Sequence, residues 1–224
     1  MNTNTANTPN TTTPQAPQQH WYVGHCLNFH ERKSEAYLQS RGVECFLPVQ
    51  RQQHKWSDRL KWVDEFLMRG IIFVHCTNTE RLLILQERSM SKIQRFMVEH
   101  IKPAATPKKK GTPQMIPAIT HRPQVIPEAQ METFMAMIRQ NEAHVTLAHQ
   151  PLAQGDWVQV TRGDLVGLKF ELVKIEDGQC LVTRINGVGT FYITVDQTIL
   201  QKISKDTPIP PQTDQDEPTP KRGI

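Results

Sequence analysis

Long apolar runs, clustered cysteines and catalytic constellations are all missing from this 224-residue chain, and each absence removes a class of protein. No window approaches the roughly 18 consecutive apolar residues that a membrane helix requires. Residues 1 to 19 lack the charged start and apolar block of a signal peptide, so a cytoplasmic location is expected and no membrane partner. The four cysteines, Cys26, Cys45, Cys76 and Cys180, are far apart with no CxxC spacing, which argues against a disulfide scaffold or a zinc ribbon and for free thiols. The dipeptides His25-Cys26 and His75-Cys76 do carry zinc-type donors. Adjacent strand residues point to opposite faces, however, so each dipeptide offers only one ligand to a given site, and no metal is expected. No phosphate-binding glycine loop and no nucleophile-base constellation is present, so neither an enzyme nor a cofactor is expected.

What is present is a mildly basic chain of two folded segments. Net charge is +4, the sequence pI is about 8.9 and mean hydropathy is -0.51, which suits a modest core and is compatible with a polyanionic partner. The first 19 residues are Asn, Thr, Gln, Pro and Ala after the initiator, apart from which no charge or large apolar side chain occurs, and they read as a disordered tail. Residues 205–224, rich in proline, read likewise. The stretch Lys102 to Pro117, with Lys108-Lys109-Lys110, reads as a long solvated loop.

The first segment, residues 20–140, opens with a strand at Trp21 to Cys26. Asn28 followed by Glu31 reads as a capped helix start, with the helix running to Arg41 and stopping at Gly42. Val43 to Pro48 reads as a strand. A hairpin follows, turning at Ser57-Asp58-Arg59 between polar residues 50–55 and one long run from Leu60 to Cys76, with Trp56 and Trp62 beside it. Thr77 with Glu80 is a second capping box, and Ile93 to Val98 alternates as one strand. Pro127 and Glu128 suit a first helical turn, with Met131, Phe134, Met135 and Ile138 forming an apolar stripe. The fold class is α+β, an antiparallel sheet flanked by helices. After a linker at 141–152, residues 153–204 hold short strands separated by turn signals such as Arg162-Gly163-Asp164, Asp177-Gly178 and Asn186-Gly187, the pattern of a small β-barrel.

The order Trp21-Tyr22-Val23, Glu31, Pro48, Phe66 to Val74 around Gly70, Phe96, Arg122-Pro123 before a helix, and then Gly155-Asp156, Gly163 and Gly167 resembles the NusG family. The resemblance covers roughly residues 20–203 and implies an amino-terminal NGN domain followed by a KOW domain, an SH3-like barrel. It is nearer to specialised paralogues such as RfaH and the UpxY antiterminators. It implies a monomeric, non-enzymatic regulator of transcription elongation or antitermination that holds the clamp helices of bacterial RNA polymerase, with non-template DNA at a basic rim and the ribosome or Rho as further partners of the KOW domain. Polymerase contact would fall to His25, Phe66, Leu67, Met68, Gly70, Ile71 and Phe73, and nucleic-acid contact to Arg32, Lys33, Tyr37, Arg69 and Arg95. The family's Pro-Gly-Tyr stands here as Arg69-Gly70-Ile71, and Phe170 lies where a second KOW glycine is common. A ribosome-associated RNA-binding protein is the competing expectation, since KOW barrels also occur in ribosomal proteins.

Overall fold

The computed structural model describes residues 18–56, 59–101, 120–140, 143–175, 178–195 and 200–202. The expected carboxy-terminal tail, nearly all of the amino-terminal one, the basic loop and the turn residues Ser57 and Asp58 lie outside these residues. The chain divides into two units, Met1–Met135 and Ala136–Ile224.

The first unit is built on a five-stranded antiparallel sheet. Its strands are β1 (His20–Cys26), β2 (Glu44–Phe46), β5 (Ile71–Cys76), β6 (Ile93–Phe96) and β9 (Val125–Ile126), in the order β2-β5-β1-β6, with β9 also on β1. Two ribbons stand apart from it: β3 (Val49–Lys55) with β4 (Leu60–Phe66), and β7 (Val98–Ile101) with β8 (Thr120–Pro123). The helices are α1 (Glu31–Ser40), α2 (Asn78–Gln86), α3 (Arg88–Ser91) and α4 (Glu128–Arg139), the last crossing the division between the units.

Alternation along the strands sorts the core into two layers. One face carries Tyr22, Ile72, Val74, Cys76, Ile93 and Phe96, packed with Leu38 of α1 and Ile84 of α2. The buried Arg81 guanidinium lies over the Tyr22 and Phe96 rings at 5.6 and 5.8 Å. The other face carries Trp21, Phe73, His75 and Phe46, against which α4 sets Phe134, 5.4 Å from Phe73 and 6.1 Å from Phe46 between ring centroids. The Trp21 indole N–H donates to Glu128 Oε1 at 3.0 Å, and Trp21 stacks on His75 at 4.9 Å.

Local signals account for several boundaries. Thr77 caps α2 with Glu80 in a reciprocal capping box, and α1 ends in a Schellman turn, Val43 N–H donating to Leu38 O and Gly42 N–H to Gln39 O, with Gly42 at φ 70°. Others differ from the expectation. The run Leu60 to Cys76 is two strands in different sheets, and Ile93 to Val98 likewise divides between β6 and β7. Arg122-Pro123 belongs to β8 rather than to the helix start. Met137, not Met135, is buried with Met131, Phe134 and Ile138 on α4.

The second unit is a six-stranded antiparallel sheet: β10 (Thr146–Leu147), β11 (Asp156–Val160), β12 (Lys169–Ile175), β13 (Gly178–Ile185), β14 (Gly189–Thr194) and β15 (Leu200–Lys202), in the order β10-β14-β13-β12-β11-β15. The stretch read as a linker thus supplies an edge strand, Thr146 opposite Tyr192 and Leu147 opposite Phe191. Asn186-Gly187 makes the turn between β13 and β14, with Gly187 at φ 73°. Val158, Val160, Phe170, Leu181, Ile185, Phe191 and Ile193 are buried within the unit.

Candidate functional site

The expected surface centres on the turn between β4 and β5, and the structure shows how that turn is held. Gly70 has φ 75°, a left-handed conformation that glycine adopts without steric cost. Its carbonyl accepts from Cys26 N–H at 2.8 Å and its own N–H donates to the Glu31 carboxylate. Leu67 N–H donates to Pro48 O at 2.8 Å. Glu31 is therefore not the partner of an Asn28 cap. Asn28 sits in the left-handed region (φ 48°, ψ 40°), α1 starts after His30 with no side-chain cap, and the buried Glu31 crosses to Gly70 instead.

Beside Gly70 runs a 3₁₀ turn, Leu27–Phe29, tied down by Leu27 N–H donating to Lys92 O at 2.7 Å. Phe29 has φ 56° and is 67% exposed; a bulky residue in that region is strained by about 1–3 kcal/mol and persists only where its surroundings hold it. Leu27 is exposed as well. The Asn28–Glu31 spacing absorbed Phe29 into an expected helix start, and Leu27 fell between that start and the strand ending at Cys26. The available signal was two apolar residues placed outside every periodic pattern.

Of the expected polymerase contacts, Phe66, Leu67, Met68, Gly70, Ile71 and His25 are all half-buried and border this turn or the adjoining strand ends. Phe73 is a correction. It is fully buried between Phe46 and Phe134, so it supports the surface and does not form part of it. His25 pairs with Ile71 on one side and Arg95 on the other, so Ile71, His25 and Arg95 form a row across three strands on one sheet face. Burial, with the Arg95 charge adding to it, lowers the His25 pKa and favours the neutral ring.

The nucleic-acid candidates separate into two groups. Lys33, Arg69 and Arg95 are exposed. Arg32 is committed elsewhere: it pairs with Asp64 at 2.7 Å and Glu35 at 3.3 Å and lies 5.6 Å over the Phe66 ring, tying α1 to β4. Tyr37 is committed too, its hydroxyl donating to Glu87, which also receives Arg41 at 2.6 Å. Burial first, and the Glu87 bond second, raise the Tyr37 pKa, and the same bond lowers that of Glu87.

His25 and His75 face the α4 side of the sheet while Cys26 and Cys76 pack toward the α1/α2 side, so the two dipeptides split as strand geometry requires. Among the described residues no group of three or more His, Cys, Asp or Glu is placed to hold a metal. Burial pushes Cys26 and Cys45 up to about 11 and Cys76 up to about 12, so these thiols stay protonated and unreactive at neutral pH. Among the described residues no helix is long and apolar enough to cross a membrane.

A rigid turn bordered by half-buried apolar side chains is a surface suited to a protein partner. The family model described as transcription termination factor nusG matches residues 19–135, more than half of the 224, and the chain belongs to the NusG family. Its members are transcription factors that generally perform no catalysis and typically bind RNA polymerase. Among solved structures, one of Thermotoga maritima NusG, on domain interaction in that protein, is similar at 16% identity with a TM-score of 0.40, covering 84% of this chain and 98% of that one. No curated protein sequence matches the chain.

The brace at Gly70 makes a direct prediction. Glu31→Ala leaves the Gly70 N–H without its acceptor in a part-buried place and is expected to lower stability by about 1–3 kcal/mol in urea unfolding, whereas Glu31→Gln, which keeps a carbonyl acceptor, loses less. Equal losses for the two variants would show that the bond does not brace the turn.

Proposed function

We propose that this protein is a specialised NusG-family regulator that holds RNA polymerase by the apolar surface around Gly70 and reduces pausing or termination at particular operons. The observation that carries the reading is the braced turn itself. Leu27 and Phe29 are exposed, and Leu67, Met68 and Ile71 half-buried, around a backbone fixed by hydrogen bonds from Gly70 to Cys26 and Glu31. Rigid, partly exposed apolar side chains lose little entropy on docking, which favours binding there. No bond is made or broken in the action. Binding that prefers the elongating polymerase over its paused state shifts the population toward elongation by the ratio of the two affinities.

Lys33, Arg69 and Arg95 are the residues assigned to DNA beside the polymerase, since Arg32 and Tyr37 are engaged within the fold. The six-stranded unit is assigned as the KOW domain, with the ribosome or Rho as its class of partner. The unusual Arg69-Gly70-Ile71 turn favours operon-specific over general action.

The test is gel-filtration co-elution of the purified protein with bacterial core RNA polymerase. Ile71→Glu is expected to abolish co-elution while changing stability by less than about 1 kcal/mol, because Ile71 is only half-buried at the first position of its strand. Co-elution that survives Ile71→Glu would remove this surface as the contact. No co-elution of the natural sequence, together with sedimentation on ribosomes stripped of polymerase, would replace the reading by ribosome binding.

A further inference from the structure

The ribbon β3–β4 carries apolar surface that the polymerase reading does not use. Trp56, Leu60 and Trp62 are 59%, 59% and 55% exposed on a ribbon with no third strand among the described residues, where burial gives such large side chains little stabilisation. The register places Leu60, Trp62, Asp64 and Phe66 opposite Lys55, Gln53, Arg51 and Val49, so these eight share one face. Charge is sorted along it. The cations on this face are Arg51 and Lys55, while Asp64, opposite Arg51 at the base, is already bound by Arg32. The Arg51 guanidinium lies 5.5 Å from the Trp62 ring centre.

We propose that this face of the ribbon is a stacking platform for single-stranded nucleic acid, with Trp62 taking an unpaired base and Arg51 and Lys55 the neighbouring phosphates. Every base has a π-face, and an exposed indole flanked by cations meets both halves of a nucleotide at once. Duplex fits less well, since its bases are already stacked on each other. A lipid surface fits less well too, because the polar Gln53 and the Arg32–Asp64 ion pair lie on the same face. That unpaired nucleic acid lies near the protein rests on the transcription reading; the chemistry of the platform is the ribbon's own.

The test titrates a fluorescein-labelled oligothymidylate with the full-length protein, reading anisotropy at two salt concentrations. Trp62→Ala is expected to weaken binding about 5- to 100-fold, the loss of one stacked base, and Trp62→Phe to restore most of it. Arg51→Gln is expected to weaken binding and to reduce the salt slope by about one. Should Trp62→Ala fail to fold by circular dichroism, Trp62→Phe and Arg51→Gln decide the matter through affinity and slope. Unchanged affinity in the variants, equal affinity for duplex, or binding to phosphatidylserine vesicles without binding to the oligonucleotide would each overturn the proposal. Polymerase co-elution is run on the same preparations. Oligonucleotide binding without polymerase binding would leave the platform standing and remove the transcription reading, and the converse result would remove only the platform.

Discussion

Replacing Gly155 by alanine is expected to destabilise the six-stranded unit by about 2–4 kcal/mol, a large share of what holds a small domain together. A Cβ at this position would lie 1.9 Å from the Leu172 carbonyl oxygen, 2.6 Å from its carbon and 3.0 Å from a Val173 methyl. Backbone cannot step aside as a long side chain can, so β11 must move off β12 where Asp156 faces Leu172. The movement would also break a network. Gly155 N–H donates to Glu171 Oε1 at 2.7 Å, Glu171 Oε2 accepts from Arg184 Nε at 2.7 Å, and Arg184 donates onward to the carbonyls of Leu152 and Ala153. Glu171 is buried, so its carboxylate depends on these donors, and losing one leaves a charge poorly compensated. Amide exchange should rise across β11 and β12 while β1 and β5 of the other unit stay protected. A variant with unchanged exchange and an unchanged urea midpoint would mean that the approach of Gly155 to Leu172 is not a constraint on the fold.

Legibility in the sequence followed the range of the interaction. The Thr77–Glu80 capping box, the stop at Gly42 and the Asn186-Gly187 hairpin turn involve residues within a few positions of one another, and their residue types state the geometry outright. The two divided strands were not legible because apolar patterning continues across each break: Phe66, Leu67, Met68 and Ile71 read alike whether they lie in strand or turn. Glu31 shows the limit most sharply. Its spacing from Asn28 is that of a local cap, yet its hydrogen bond goes to Gly70, 39 residues away, and no local pattern signals that choice. The same holds for Arg32 with Asp64 and Tyr37 with Glu87, two residues that the family resemblance assigned to nucleic acid and whose distant partners no local pattern signals. The row Ile71, His25 and Arg95 needed the pairing of three strands before its members could be seen as neighbours.

Phe73→Ala is expected to lower the stability of the first unit by about 3–5 kcal/mol while leaving the affinity of the folded protein for polymerase nearly unchanged. The residue has no exposed surface, and its ring centre lies 5.4 Å from that of Phe134 and 6.3 Å from that of Phe46. Removing the ring leaves a cavity that β5 and α4 can close only in part, and it removes the aromatic contact that joins helix to sheet. Phe73→Leu, which fills most of that volume, should lose much less. Ile71, two residues earlier on the same face of the strand, is expected to behave in the opposite way, with Ile71→Glu losing polymerase and keeping the fold. The pair therefore separates support from contact within a single strand, provided that binding is normalised to the folded fraction at each temperature. If Phe73→Ala proves as stable as the natural protein yet fails to bind, β5 must expose Phe73 on binding, and the surface recognised by polymerase would be one that opens the sheet and not the braced turn at Gly70.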